Sequence, residues 1–214
     1  MILGFLDQIV GFTIFDYLKK STMNIRSIAI LILFCGILIS SCQKKNPVVE
    51  IQTPKGNILV ELYMDKAPVT AGNFLKLVED GVYDGASFYR TVRQGNDSNP
   101  ISISVIQGGI SHKQDRVKVA RIEHEHTDTT GLKHLDGTIS MARGRPGSAS
   151  SEFFICMGDQ PELDYRGRRN SDRKGFAAFG QVIEGFKVCR DIWGSPAAGQ
   201  DIDPQIRIHK MEIQ

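Results

Sequence analysis

The chain has 214 residues, of which 41% are hydrophobic and 23% are charged, and its formal net charge at pH 7 is +2. This composition is that of an ordinary globular protein with enough apolar residues for one domain with a full core. The near balance of 26 basic and 24 acidic residues gives no general argument for a nucleic acid as partner.

The N-terminal part of the sequence is typical of a secretory signal. Residues 25–39 are almost purely apolar, Arg26 lies at the start of that run, and small residues follow it. The run is short for a membrane-spanning helix, which needs about 20 apolar residues. The tetrad Ile39-Ser40-Ser41-Cys42 resembles a bacterial lipobox, which predicts cleavage before Cys42 and lipid attachment to it. An uncleaved signal anchor is the alternative.

These features divide the sequence into four predicted parts. Residues 1–22 are interpreted as an upstream extension or a mis-assigned start, because a complete signal with its own Met23 follows them. Residues 23–41 are the predicted signal peptide, and residues 42–47 are a short polar tether that holds the protein at a membrane. Residues 48–214 are the predicted folded domain.

The predicted lipid anchor places the protein in a bacterial cell envelope. Gln43 stands where many lipoproteins of the inner membrane have an aspartate. This favours the outer membrane, facing the periplasm. The predicted domain contains Cys156 and Cys189, which either form a disulfide or, as the apolar sequence around them favours, are two buried free thiols.

Strand patterns fill most of the predicted domain. Two alternating segments, residues 48–52 and 57–63, flank Thr53-Pro54-Lys55-Gly56, which predicts a hairpin. A helix is predicted to begin at Pro68 and to end before Gly81. Further strands are predicted at residues 88–92, 101–106, 137–142, 152–157, 177–182 and 206–208 and at the end of the chain, with a second helix at 186–193. Many short strands and two helices predict a mainly β protein, a closed antiparallel barrel rather than a βαβ fold.

Three short motifs contain residues suited to holding a proline ring: Phe88-Tyr89-Arg90, Val105 to Gly109, and Ser151 to Asp159. They offer an apolar slot together with an arginine and a glutamine as hydrogen-bond donors. Rotation about an X–Pro bond needs no nucleophile, metal or cofactor. It needs a group that binds the twisted amide better than the planar one, and the permanent charge of an arginine suits that task.

The order of FYR, VIQGG, GTISMAR, SEFFICMGDQPELD and GFAAFGQV resembles the cyclophilin family of peptidyl-prolyl isomerases, over nearly all of residues 48–213. The resemblance implies a closed eight-stranded antiparallel barrel with an α-helix capping each end and a substrate groove on its outside. It also implies a peptidyl-prolyl cis-trans isomerase that acts on proline-containing polypeptides without cofactor or metal, here assisting the folding of exported proteins. A monomer is expected. The alternative is a catalytically weak cyclophilin-like module that binds proline segments as a chaperone or scaffold.

The resemblance also assigns site residues. Arg90 matches the family's catalytic arginine, Gln107 its groove glutamine, and Phe154 the main wall of its proline pocket. Residues that match other positions along the substrate groove are Val105, Ala142, Arg143, Glu152, Leu163 and Phe176.

The sequence departs from the family pattern at several points. Residues 93–104 form a longer polar loop than the family has, and Ser104 stands where a phenylalanine often lines the proline pocket. Phe176 stands where some members have a histidine. Glu152 replaces the usual glutamine, from which we hypothesise that its carboxylate tunes Arg90, either by pairing with it or by competing with the substrate amide.

Two other clusters of charged residues resemble binding sites. Glu123, His124, Glu125 and His126, with His134 nearby, resemble a metal site, but histidines two residues apart in a loop more often face solvent. The basic run from Arg166 to Lys174 has the composition of a surface loop. We therefore expect neither a metal nor a nucleic acid to bind.

Overall fold

A computed structural model of the protein describes residues 45–113, 115 and 117–214. The predicted signal peptide, Cys42 and the start of the tether lie outside these residues. Among the described residues, no helix has both the length and the apolar character needed to cross a membrane. Residues 46–214 cluster as one unit through their own contacts.

The described part of the chain folds mainly as one antiparallel sheet of ten strands. The strands are β1 (Val48–Thr53), β2 (Gly56–Leu62), β3 (Ser87–Val92), β4 (Val105–Gly109), β5 (Thr138–Met141), β6 (Phe153–Cys156), β7 (Ala177–Glu184), β8 (Ala197–Ala198), β9 (Asp201–Arg207) and β10 (Lys210–Ile213). The helices are α1 (Pro68–Glu79), α2 (Thr127–Thr130) and α3 (Phe186–Trp193), with a 3₁₀ turn at Pro161–Leu163.

The expected closed barrel of eight strands is not confirmed. Within the described residues the strand order is β10-β1-β2-β7-β5-β6-β4-β3-β9-β8, so β10 and β8 lie at the two ends of the sheet. Two residues between β9 and β10 form hydrogen bonds to different parts of the chain. The Ile208 N–H donates to the carbonyl of Ala86, just before β3, at 2.7 Å, and the His209 N–H donates to the carbonyl of Gln52 in β1 at 2.8 Å. The last part of the chain therefore connects the neighbourhood of β3 with that of β1.

The predicted hairpin is confirmed at β1 and β2. Thr53 pairs with Gly56, which leaves Pro54 and Lys55 as the turn. Gly56 has a φ of 124°, a conformation that a glycine adopts without the steric cost of a Cβ. The helix predicted at Phe186–Trp193 is also confirmed.

Strand β4 begins at Val105, whereas the apolar pattern predicts a start at Ile101. Side chains replace strand neighbours as acceptors in this segment: the Ile101 N–H donates to Asn99 Oδ1 at 2.9 Å and the Ser104 N–H donates to Gln160 Oε1 at 3.0 Å. Asn and Asp side chains compete with sheet hydrogen bonds in this way.

The two adjacent phenylalanines of β6 lie on opposite faces of the sheet, because side chains alternate along a strand. Phe153 is fully buried in the main core. Its ring meets Phe74, Tyr83 and Phe88 edge to face, at centroid distances of 5.5, 5.7 and 5.7 Å. Phe154 belongs to a second, smaller hydrophobic cluster on the other face. One phenylalanine of the pair therefore belongs to the main core and the other to the opposite face.

We expect Phe153→Ala to lower the free energy of unfolding by about 3–5 kcal/mol, because it leaves a cavity among three aromatic rings. Urea denaturation measures the loss. Val69→Ala, at a side chain that is 42% exposed, is the control and should change stability by less than about 0.5 kcal/mol. Equal small losses for both variants would contradict this account of the core.

Candidate functional site

A groove of about 490 Å³ lies on the face of β3, β4 and β6 that carries Phe154. All the predicted site residues of the described chain line it except Leu163: Arg90, Val105, Gln107, Ala142, Arg143, Glu152, Phe154 and Phe176. These residues come from separate parts of the sequence, so the fold brings them together.

The register of the sheet sets Arg90, Gln107 and Phe154 side by side. Arg90 pairs with Gln107 across β3 and β4, and Gln107 pairs with Phe154 across β4 and β6. The side chains of directly opposed residues lie on the same face of a sheet and within contact distance. One row across three strands therefore combines a cation, an amide and an aromatic ring.

A chain of hydrogen bonds runs along the floor of this groove. Arg90 Nη1 donates to Gln107 Oε1 at 2.9 Å, Gln107 Nε2 donates to the Tyr89 hydroxyl at 2.6 Å, and that hydroxyl donates to Glu152 Oε2 at 2.6 Å. Burial, and then the charge of Glu152, raises the pKa of Tyr89 well above its usual value. The phenol therefore stays protonated and remains a donor at neutral pH.

The hypothesis of a direct pairing between Glu152 and Arg90 does not fit this geometry. Among the described residues the carboxylate reaches Arg90 only through Tyr89 and Gln107, and its other oxygen accepts the Ile110 N–H at 3.0 Å. A Cβ at Gly109 would lie 2.5 Å from Glu152 Oε2. The second glycine of VIQGG therefore makes room for the carboxylate inside a strand.

A further residue, Gln200, holds the other side of the guanidinium. Its Oε1 accepts from Arg90 Nε at 2.9 Å and from Arg90 Nη2 at 2.5 Å. Burial lowers the pKa of Arg90 from its usual value, but an arginine remains cationic at neutral pH. Gln200 lies in a short turn between β8 and β9 and belongs to no motif, so the sequence does not mark it as a site residue.

The apolar part of the groove rests on the second hydrophobic cluster. Phe154 meets Phe176 edge to face at 5.2 Å. Leu163, which was predicted to contact substrate, is fully buried within this cluster and does not line the groove. It supports the pocket from within because the 3₁₀ turn at Pro161–Leu163 directs it inward.

The Phe154 ring also stacks on His134, with centroids 5.9 Å apart and planes 14° from parallel. His134 Nδ1 lies 2.8 Å from Asp164 Oδ1, and Nε2 lies 3.0 Å from Ser140 Oγ. Because a carboxylate only accepts, Nδ1 donates to it and Nε2 accepts from the hydroxyl. Burial lowers the pKa of His134, so the ring is neutral near pH 7. The sequence had grouped this histidine with a possible metal cluster.

Comparison with known proteins adds to this geometry. A family model described as cyclophilin type peptidyl-prolyl cis-trans isomerase/CLD matches residues 48–213. The chain belongs to this cyclophilin family. A peptidyl-prolyl cis-trans isomerase of Acinetobacter baylyi is 36% identical over 168 residues, 76% of this chain and 80% of the relative. Peptidyl-prolyl cis-trans isomerase B of Escherichia coli is 31% identical over 147 residues, 68% of this chain and 84% of the relative.

Solved structures agree on the fold. The crystal structure of a Cryptosporidium parvum cyclophilin type peptidyl-prolyl cis-trans isomerase, in the presence of dipeptide ala-pro, matches with a TM-score of 0.62 at 23% identity. The match covers 78% of this chain and 98% of that one. Together, the family and its relatives support the predicted peptidyl-prolyl cis-trans isomerase activity.

The long loop at residues 93–104 supplies part of the apolar wall of the groove, from a different position than the cyclophilin pattern does. Ser104 is held by its backbone, whose carbonyl accepts the Met157 N–H at 2.9 Å. The preceding residue, Ile103, is 9% exposed, belongs to the cluster of Phe154 and lines the groove. An aliphatic side chain one position earlier therefore contributes apolar contact in place of the phenylalanine that Ser104 replaces.

Arg143 contributes to the groove differently from Arg90. Its guanidinium forms a two-pronged ion pair with Asp172 at 2.8 and 2.9 Å, and lies over the Phe176 ring at 5.2 Å. This contact lowers the pKa of Asp172 to about 2. Because the charged end is occupied within the protein, the backbone of Ala142 and Arg143 is the part available to a ligand in the groove.

Several residues of the clusters that the sequence set aside contact other parts of the protein. In the described ranges, no group of three or more His, Cys, Asp or Glu residues is placed to hold a metal ion. His126 stacks on Tyr165 at 5.2 Å, and Arg168 pairs with Glu162. Cys156 and Cys189 are both buried free thiols, as the apolar sequence around them favours.

We expect Glu152→Gln to change the rate of proline isomerisation, because the amide places an N–H donor where the carboxylate now only accepts. The change would pass through Tyr89 and Gln107 to Arg90. A protease-coupled assay on a proline-containing peptide measures it, with Glu184→Gln, an exposed residue at the end of β7, as the matched control. An unchanged rate for Glu152→Gln would remove the idea that this residue tunes Arg90.

Proposed function

We propose that this protein is a lipid-anchored isomerase that turns X–Pro bonds in exported polypeptides and so assists their folding, with Arg90 stabilising the twisted amide. The observation that carries the proposal is that Arg90 and Phe154 line one groove as neighbours across Gln107. A charged donor beside an aromatic slot is the arrangement that this reaction requires.

The chemistry follows from the amide bond. Its rotation barrier of about 18–20 kcal/mol comes from delocalisation of the nitrogen lone pair. In the twisted transition state the lone pair returns to the proline nitrogen, which then accepts a hydrogen bond. A guanidinium directed at that nitrogen binds the twisted form more strongly than either planar form, and only such differential binding accelerates the step.

The rest of the groove holds the substrate while it turns. Ile103, Val105, Phe154 and Phe176 line the apolar part and would fix the proline ring. Gln107, whose amide is oriented by Tyr89 and Arg90, would bind the adjoining peptide group. Exclusion of water removes hydrogen bonds that favour the polar planar amide. The presence of an Ala-Pro dipeptide with the Cryptosporidium parvum relative supports a proline-containing ligand.

The cellular setting rests on the sequence. The signal-like segment and the lipobox-like tetrad ending at Cys42 support export and lipid attachment. Gln43 favours the outer membrane, facing the periplasm. A monomeric enzyme without nucleic acid as partner suits this setting, in which newly exported chains are the substrates.

We expect Arg90→Ala to lower the isomerisation rate by about 10²–10³-fold, the usual loss when one transition-state donor is removed. The assay uses the full-length protein in mild detergent and a chromogenic proline peptide, and Arg190→Ala, an exposed arginine on α3, is the control. Equal, negligible rates for the wild type and Arg90→Ala, with proline peptides still bound, would instead identify a binding module.

We expect Cys42→Ser to abolish lipid attachment and to move the protein from the membrane fraction to the soluble fraction or to leave its signal uncleaved. Mass spectrometry of the N-terminus and fractionation of the host's envelope measure both. Cys189→Ser, which removes a buried thiol of the folded unit, is the control and should leave the lipid in place. A lipidated Cys42→Ser protein would contradict the assignment.

A further inference from the structure

The long loop at residues 93–104 and the turn that carries Gln200 meet beside Arg90. We propose that Gln200 is a positioning residue for Arg90 and that Asn96 of this loop sets its orientation. The inference rests on the proposed role of Arg90 and adds what fixes the direction of its guanidinium.

Two glutamines hold the guanidinium from two sides. Gln107 Oε1 accepts from Nη1, and Gln200 Oε1 accepts from both Nε and Nη2. A planar group fixed at both ends cannot rotate about its bond to the side chain without breaking one set of contacts. Within the described part of the chain, only these two glutamine side chains accept from the guanidinium. The second hydrogen on each terminal nitrogen is thereby left for a further acceptor, in a plane that the two glutamines define.

The orientation of the Gln200 amide is itself determined. Its Nε2 donates to the Asn96 carbonyl at 3.1 Å. Because an amide has one accepting and one donating end, this contact requires Oε1 to face Arg90. The reverse orientation would place N–H donors against the guanidinium and a carbonyl against a carbonyl.

Asn96 is fixed by its own side chain. Its Nδ2 donates to the carbonyls of Thr91 and Gly199 at 3.0 and 2.9 Å, and its Oδ1 accepts the Arg93 N–H at 2.8 Å. The Thr91 N–H also donates to the Gln200 backbone carbonyl at 2.9 Å. The residue after Arg90 on β3, the loop and the turn are therefore joined at one point.

The outer end of the loop is also held. Asp97 pairs with Arg169 at 2.6 Å, and their side chains are only 2% and 11% exposed. Arg169 also donates to the Ile101 carbonyl at 2.6 Å. The loop is therefore a fixed part of the groove. Asn96 of this loop orients Gln200, and Gln200 in turn orients the guanidinium of Arg90.

The test is a double-mutant cycle in the full-length protein. Gln200→Leu removes the acceptor at similar volume and should lower kcat by roughly ten- to a hundredfold with KM little changed, since a misdirected guanidinium loses contacts made only in the transition state. In the Arg90→Ala background the same substitution should have no further effect, because it acts through Arg90.

Gln205→Leu is the matched control. Gln205 lies on β9, is exposed, and accepts from Ser87 rather than from Arg90. It should leave kcat unchanged, and urea denaturation of both variants measures any general loss of stability. Losses of kcat that are additive with Arg90→Ala, or equal losses for Gln200→Leu and Gln205→Leu, would overturn the inference.

A second measurement does not depend on turnover. The nitrogen-15 order parameter of the Arg90 Nε–H should be as high as that of the backbone in the wild type. In Gln200→Leu it should fall to that of an exposed arginine such as Arg190. A low order parameter for Arg90 in the wild type, or an equal order parameter in Gln200→Leu, would overturn the inference whether or not Arg90 is catalytic. A rigid Arg90 that is irrelevant to rate would refute only the proposed function.

Discussion

The guanidinium of Arg90 must keep its charge, lose part of its water and point in one direction. Its burial lowers its pKa, which shows that the protein environment disfavours the charge, although an arginine remains protonated. Acceptors on both sides compensate: Gln107 on the neighbouring strand and Gln200 in a distant turn. The groove is arranged around this requirement, since each acceptor is in turn held by a further partner.

The aromatic wall is supported in a similar manner. Phe154 contacts Phe176 edge to face and stacks on His134, and His134 is fixed by Asp164 and Ser140. A neutral buried histidine between two polar partners cannot rotate without leaving one of them unpaired, which costs about 1–3 kcal/mol. The ring that would receive proline is therefore rigid because of a polar network behind it.

Much of the fold and of the site could be predicted from the sequence, because strands β1, β2, β3 and β7 and helix α3 have clear periodicity or boundaries, and the site motifs resemble a known family. The rest depends on contacts between distant residues. Ile101 to Ser104 have a strand's apolar pattern, but the N–H groups of Ile101 and Ser104 donate to side chains instead of to a neighbouring strand. Gln200 lies 110 residues from Arg90 in an unremarkable turn. No local pattern distinguishes it from a solvated glutamine.

The ion pair between Asp97 and Arg169 joins two surface loops that are far apart in sequence. Both side chains are shielded from water, so shortening either loop alone would leave the charge of the other loop without its partner in a poorly hydrated place. A redesign of this scaffold would consequently have to keep or shorten the two loops together.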